Sequence, residues 1–410
     1  MSEVQPPRQH GRKSYVFVLV TVAIDMIGFG LIMPVTPTLI AELTGLSLDQ
    51  AAPWGGYLAA LYAVLNFLAG PTLGNLSDRY GRRPVLLVAM AALGANFLLM
   101  GLATSIALLF VGRVLSGIAG ATMSTASAYI ADVTEPERRA QAFGGIGAAF
   151  GIGFVLGPVL GGVLGELHVR APFFVAAGLS LVNVLYGAFV LPESLPPERR
   201  RPFVLARANP LGAFRHFSKL PQVSLLIVTM ALFQFCQMLF PVIWAFFTEL
   251  RFGWDARAVG VSLGLVGVSA AVVQGVLIGP VLRRLGPTQT ALVAMAFGVV
   301  TLLAYAFITE SWMVYVLIFL SAPMGMAPAA INSITSSRVD ANAQGELQGA
   351  VASANAFGTM LSPLVMTQTF AYFSRPEAPV RFFGAPFVVA ALVMAIAVVP
   401  FVVGVRRSRA

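Results

Sequence analysis

Apolar runs of roughly twenty residues recur along the whole chain, each parted from the next by a short segment in which arginine is concentrated. A helical run of that length crosses a bilayer core of about 30 Å. Inside hydrocarbon the backbone must satisfy its own hydrogen bonds, which leaves only helices and closed barrels. A barrel strand would alternate apolar and polar residues, and nothing here alternates. Twelve runs are found, at approximately 15–40, 54–75, 84–103, 106–131, 141–165, 172–191, 222–248, 258–282, 288–308, 312–336, 347–372 and 384–405. The chain reads as an all-α membrane protein of twelve transmembrane helices. At 10% charged residues and 58% hydrophobic, it lacks the roughly 25% charge that clothes a soluble domain. The single Cys236 cannot form an internal disulfide. A net charge of +9 would suggest nucleic acid in a soluble protein, but these arginines sit between spans, so no nucleic-acid partner is expected.

Arginine and lysine placement sets the orientation. With the N-terminus in the cytoplasm, the inner segments hold twenty basic residues and the outer ones five, leaving Arg113 inside a span. Both termini are therefore expected on the cytoplasmic side of a bacterial-type inner membrane. Met1–Lys13 is basic and polar, but the run after it is too long for a signal peptide and is taken as the first span. Trp54, Trp244, Trp254 and Trp312 fall at or near the outer ends, as interfacial anchors do.

Residues 192–221 break the pattern with a Pro-Glu-Ser-Leu-Pro-Pro-Glu-Arg-Arg-Arg-Pro stretch and further basic residues. They read as a cytoplasmic linker between a six-helix unit, 1–191, and a second, 222–410. Asn209–Lys219 within it would make a short amphipathic helix on the inner headgroups, with Phe214 and Phe217 toward lipid, or else a solvated connector. The halves echo each other. Gly74-Asn-Leu-Ser-Asp-Arg-Tyr-Gly81 is followed 205 residues later by Gly279-Pro-Val-Leu-Arg-Arg-Leu-Gly286, and Pro158 by Pro363 at the same offset. Such duplication is typical of secondary transporters, which hold substrate between two halves near the bilayer midplane.

The loop after the second span carries Gly74, Asp78, Arg79, Gly81, Arg82, Arg83 and Pro84. Gly81 suits a turn of positive φ, Gly74 permits a close helix approach, and Asp78 can bind a helix N-terminus or a basic group. Asp132, Glu135, Glu137, Arg138 and Arg139, at the end of span four and beyond, are expected partners in a charge lock that parts when the inner side opens. Arg338, Asp340 and Glu346 hold the equivalent place in the second half and read as solvated loop charges. In span five, Gly153, Gly157, Pro158, Gly161 and Gly162 form a smooth, bendable face that helix packing alone explains.

Asp25 is the one acid well inside an expected span. An ionised carboxylate in hydrocarbon is costly, so it must face a cavity, meet a partner or hold a proton. Arg113 is the matching buried base; the two can satisfy each other, or serve proton coupling. Tyr62, Asn66, Asn96, Gln234, Gln237, Gln274, Asn332 and Asn355, with Phe233, Phe235 and Trp244, are candidates for an amphipathic cavity, although intramembrane amides commonly bridge helices. No P-loop, metal-spaced cluster or nucleophile elbow is found. The expectation is a non-enzyme that needs no cofactor or metal and is driven by a proton gradient rather than ATP.

The loop at 74–84 resembles the signature loop of the major facilitator superfamily, and Gly153–Gly162 resembles the span-five motif of its antiporters. Asp25–Pro37, Gly74–Pro84, Arg113 with Gly117 and Gly120, Ala128–Asp132 and Gly345–Gly349 together resemble the tetracycline/proton antiporters over essentially all twelve spans. The resemblance implies two pseudo-symmetric six-helix bundles. It assigns Asp25 and Arg113 to the proton and substrate pathway, and Asp78, Arg79 and Arg82 to gating. Those exporters also carry an aspartate in span three, a histidine in span eight and an aspartate in span nine, where this chain has Asn96, Ala270 and Gly298. A less charged amphipathic drug or metabolite is therefore expected as cargo of a monomeric exporter embedded in lipid. A proton-coupled importer, and a receptor or lipid-handling protein on the same scaffold, are the alternatives.

Overall fold

A computed structural model of the chain describes residues 10–120, 122–204, 220–340 and 343–407. Every regular element among them is helical. The proposed amphipathic segment Asn209–Lys219 lies outside the described residues. Ten helical stretches among the described residues are long and apolar enough to cross a membrane. One of these, Ala256–Phe307, is 52 residues long and turns at Gly286, where φ is 72° and ψ 165°, so it supplies spans eight and nine. Span four is built from the shorter helices Ile106–Ala119 and Thr122–Val133. The described residues are thus consistent with twelve spans.

The other spans are His10–Ile32, Leu48–Tyr80, Arg82–Gly101, Arg139–Leu167 and Ala171–Val190 in the first half. In the second, span seven joins Ser224–Gln237 to Leu239–Phe252, span ten runs from Ser311–Ser321 to Ala327–Ser336, and Gln344–Ser374 and Ala385–Arg407 complete the set. Gly81 and Gly286, 205 residues apart, both adopt positive φ with extended ψ, 104° and 157° at Gly81. Only glycine takes that conformation without strain, so each marks the turn between the second and third spans of its half.

Helix pairing repeats with the same order. Span one lies along spans five and six, and span three along four and six; six spans later, seven lies along eleven and twelve, and nine along ten and twelve. The halves meet chiefly where span five packs on span eight and span two on span eleven. At these seams the repeat is visible atom by atom. A side chain at Gly260 of span eight would run into the Pro158 carbonyl of span five, and one at Gly56 of span two would meet the Pro363 carbonyl of span eleven. The two prolines are the pair matched in the sequence.

Trp244 departs from its expected place. It is 1% exposed, its Nε1–H donates to Ser262 Oγ at 2.8 Å, and its ring meets Tyr305 edge-on with centroids 5.5 Å apart. It is a core residue of the second half, neither an interfacial anchor nor a cavity wall. Phe233 is likewise buried. Of the four tryptophans only Trp312 is largely exposed, at 61%.

Candidate functional site

Asp25 is half-buried on span one. Thr21, four residues before it, donates to Asn183 of span six at 3.2 Å. Gly28, three residues after, lies against Phe97 of span three and Ala176 of span six. Residues so spaced share a helix face, which directs Asp25 toward the interior of the first half. The face of span one that meets span five is a different one, formed by Ala23, Met26, Ile27, Gly30 and Leu31.

Tyr62 of span two lies in the field of both Asp25 and Arg113. Its hydroxyl and the Asn66 amide nitrogen each stand 2.7 Å from where a Cβ on Gly120 would be, and Gly117 packs on Leu65 and the Tyr62 backbone. Arg113, Gly117 and Gly120 follow helical spacing along one face of span four. The two glycines thus make room for Tyr62 and Asn66 beside the arginine. Asn96 of span three is 2% exposed, with its Oδ1 directed at Gly112, next to Arg113. Neither Asn96 Oδ1 nor Arg113 Nε has a hydrogen-bond partner among the described residues. Asp25 and Arg113 do not form an ion pair there. An acid, a phenol, two amides and a guanidinium are therefore gathered in one half without being consumed by one another.

The second-half candidates form a separate group. Gln234 Nε2 donates to Thr359 Oγ1 at 3.3 Å, and that hydroxyl in turn donates to the Asn355 carbonyl at 2.9 Å. Gln237 is half-buried, and Asn332 has a buried, unpartnered Oδ1. Gln274 is exposed on a π-helical turn, Val273–Leu277, in span eight. At Gly298 even a Cβ would press on Met324 and Met394, so that position belongs to packing. Glu249, just past the expected end of span seven, lies in the last turn of the helix Leu239–Phe252, so that helix runs a few residues beyond the apolar run read from the sequence.

The span-five motif has two working faces. Gly153, Gly157 and Gly161 meet the span-one residues above, while Pro158, Gly162 and Gly165 meet Ala256, Arg257 and Gly260 of span eight. The segment that carries Asp25 is thus clamped to the seam between the halves.

That seam is closed on one face of the membrane only. Away from the 74–84 loop, Gly55 and Gly56 pack on Phe246, Pro363 and Thr367, Gly264 and Gly267 on Val155 and Val159, and Gln368 Nε2 donates to the Tyr57 hydroxyl at 2.7 Å. Toward the loop, side chains on Gly74, Gly144, Gly151, Gly275, Gly345 and Gly349 would meet nothing within 4 Å. Gly74 is in helical register with Gly56, and Gly144 and Gly151 with Pro158, so the same helix faces are packed at one end and open at the other. Gly74 therefore makes no close approach in this state.

On the open face, Arg82 pairs with Asp78 at 2.7 Å and with Asp132 at 3.2 Å. The wider lock expected from the sequence is smaller in the structure. Arg138 pairs with Glu135 at 3.8 Å, both exposed, Arg79 lies over the Tyr80 ring, and Arg139 donates to the Ala131 carbonyl at 2.9 Å. Glu193 is the residue the sequence reading overlooked. Gly81, which caps the helix Arg82–Gly101, has no side chain to accept the orphan N–H groups, and Glu193 accepts them instead, from Arg82 N at 2.8 Å and Arg83 N at 3.3 Å. It also accepts from Ser194 N and Leu195 N, both at 3.0 Å. The Pro-Glu-Ser at the start of the linker was its only signal.

A duplicated helical bundle, closed between its halves on one face and holding, among the described residues, an acid and a base that do not pair with each other, is a multi-pass membrane transporter. The profile of the Major Facilitator Superfamily matches residues 18–363, and the chain belongs to that family. Among curated proteins it is 38% identical over 356 residues to the tetracycline resistance protein, class C, of Escherichia coli, covering 87% of this chain and 89% of that one. To the class G protein of Vibrio anguillarum it is 36% identical over 366 residues, with 88% and 91% covered. In fold it is similar to a bacterial homologue of the human lysosomal transporter Spinster, in an inward-facing and unoccupied conformation, with a TM-score of 0.78, 16% identity and 98% of each chain covered.

Proposed function

We propose that this protein is a proton-driven exporter of a small amphipathic drug or metabolite, working by alternating access from a bacterial inner membrane with both termini in the cytoplasm. The observation that carries the reading is the polar interior of the first half, with Asp25 on the inward face of span one and Tyr62, Asn66 and Asn96 packed against the part of span four that carries Arg113, in a half whose seam with the other is open on one face only. In this account Asp25 accepts a proton from outside. The local charge then passes from balanced to positive at Arg113, which alters cargo binding, and the halves rock about the two seams between residues 1–191 and 222–410. Release of the proton inside restores the balance of charge. The family resemblance and the tetracycline resistance relatives support the antiporter class. Asn96, Ala270 and Gly298 argue for a cargo less positive than a metal–tetracycline chelate, since two carboxylates that would attract it are absent. Gln234, Gln237, Gln274, Asn332 and Asn355 are the second half's candidate contacts.

Direction and cargo are tested together by accumulation in everted vesicles energised acid-inside. Tetracycline with magnesium and a panel of neutral and cationic amphiphiles would be offered in turn. Gradient-dependent uptake of a neutral amphiphile is the expected result. Depletion of preloaded vesicle contents driven by that gradient would instead identify a proton-coupled importer.

A further inference from the structure

The first part of the linker is bound to the loop face rather than hanging from it. Arg201 N donates to the Asp78 carbonyl at 3.0 Å, Asn75 Nδ2 to the Val204 carbonyl at 2.7 Å, and Ser194 Oγ to Asp132 at 3.3 Å. Between linker and loop lies a cavity of about 510 Å³ lined by Asp78, Arg82, Asp132, Leu195, Arg199 and Arg201. Both carboxylates are taken by Arg82. Arg199 and Arg201 have no carboxylate partner among the described residues, yet their backbone is held, Arg199 in a 3-10 turn, Pro197–Arg199, and Arg201 by its bond to the loop. The lining carries three guanidinium groups against two carboxylates. Two planar, always-charged donors on an anchored backbone, facing a space large enough for a headgroup, match the oxygens of a phosphate group.

We propose that this cavity binds a phosphate ester, with Arg199 and Arg201 as its ligands, and that an occupied site fastens the linker to the loop in the state seen here. A phospholipid headgroup and a soluble phosphate share this chemistry. The test uses the purified full-length protein in a neutral detergent, titrated separately with inorganic phosphate, pyrophosphate and phosphatidylglycerol, and read by native mass spectrometry and thermal shift. Saturable binding of one molecule is expected. Arg199→Gln and Arg201→Gln should each weaken it by at least about tenfold. Arg200→Gln should not, because the Arg200 Nε donates to the Leu195 carbonyl and its side chain is outside the lining. Binding of phosphatidylglycerol alone makes the occupant a lipid headgroup, whereas displacement by pyrophosphate makes it a soluble phosphate. No stoichiometric binding of any probe, or equal weakening by all three substitutions, overturns the proposal, since the latter reports net charge and no site.

Discussion

Asp25 and Arg113 share a neighbourhood without closing on each other, and Tyr62 stands in the field of both. A closed buried pair would be costly to part, because each separated charge would lack compensation. An open pair leaves the acid available to a proton and the base to cargo. Asp25 was legible in the sequence as a charge stranded among apolar residues. The place of Tyr62 was not, because it depends on Gly117 and Gly120 of another helix leaving room for it. Glu193 was hidden for a similar reason: its hydrogen bonds cross more than a hundred residues to a helix whose cap is a glycine. Glu193→Ala should cost about 1–2 kcal/mol at that helix end and free the start of the linker. Limited proteolysis should then cut near residues 195–201 several-fold faster than in the wild type, with the helical circular dichroism unchanged.

The glycine motif of span five was readable as a packing face, and the packing proves to be double-sided. Gly157 touches span one at Ile27 and Gly30, and Gly162 touches span eight at Ala256 and Arg257. A side chain at Gly157 would collide with backbone, which cannot step aside. Overpacking of this kind costs about 1–3 kcal/mol or more, so Gly157→Leu should lower the melting temperature in detergent and reduce the yield of folded protein. Gly151→Leu enters open space in this state and should leave stability unchanged. On the same helix face as Pro158, however, it would obstruct closure on the open side, and transport should fall at least about tenfold in a fully folded protein. Equal stability losses for the two substitutions would contradict the division of span five into a packed end and an open end.

The twelve spans and their duplication were evident because a bilayer imposes a length on every helix, and because Gly81 and Gly286 punctuate both halves alike. The conformational state was not, since one sequence must support a seam closed at either face. Here the closed seam is the one bridged by Tyr57 and Gln368. Cysteines at these two positions should cross-link with a short reagent in resting protein, and Cys236, being buried, should not interfere. Cysteines at Gly74 and Gly345 should meanwhile react with water-soluble maleimides and become protected when the seam switches. At the scale of the whole transporter, Asp25 is proposed to couple cargo to protons. The most direct test is cargo-induced proton release from acid-inside everted vesicles, followed with a pH dye for wild type and Asp25→Asn at equal expression. A response is expected in the wild type and none in the variant. An undiminished response in Asp25→Asn would show that the proton travels by another group.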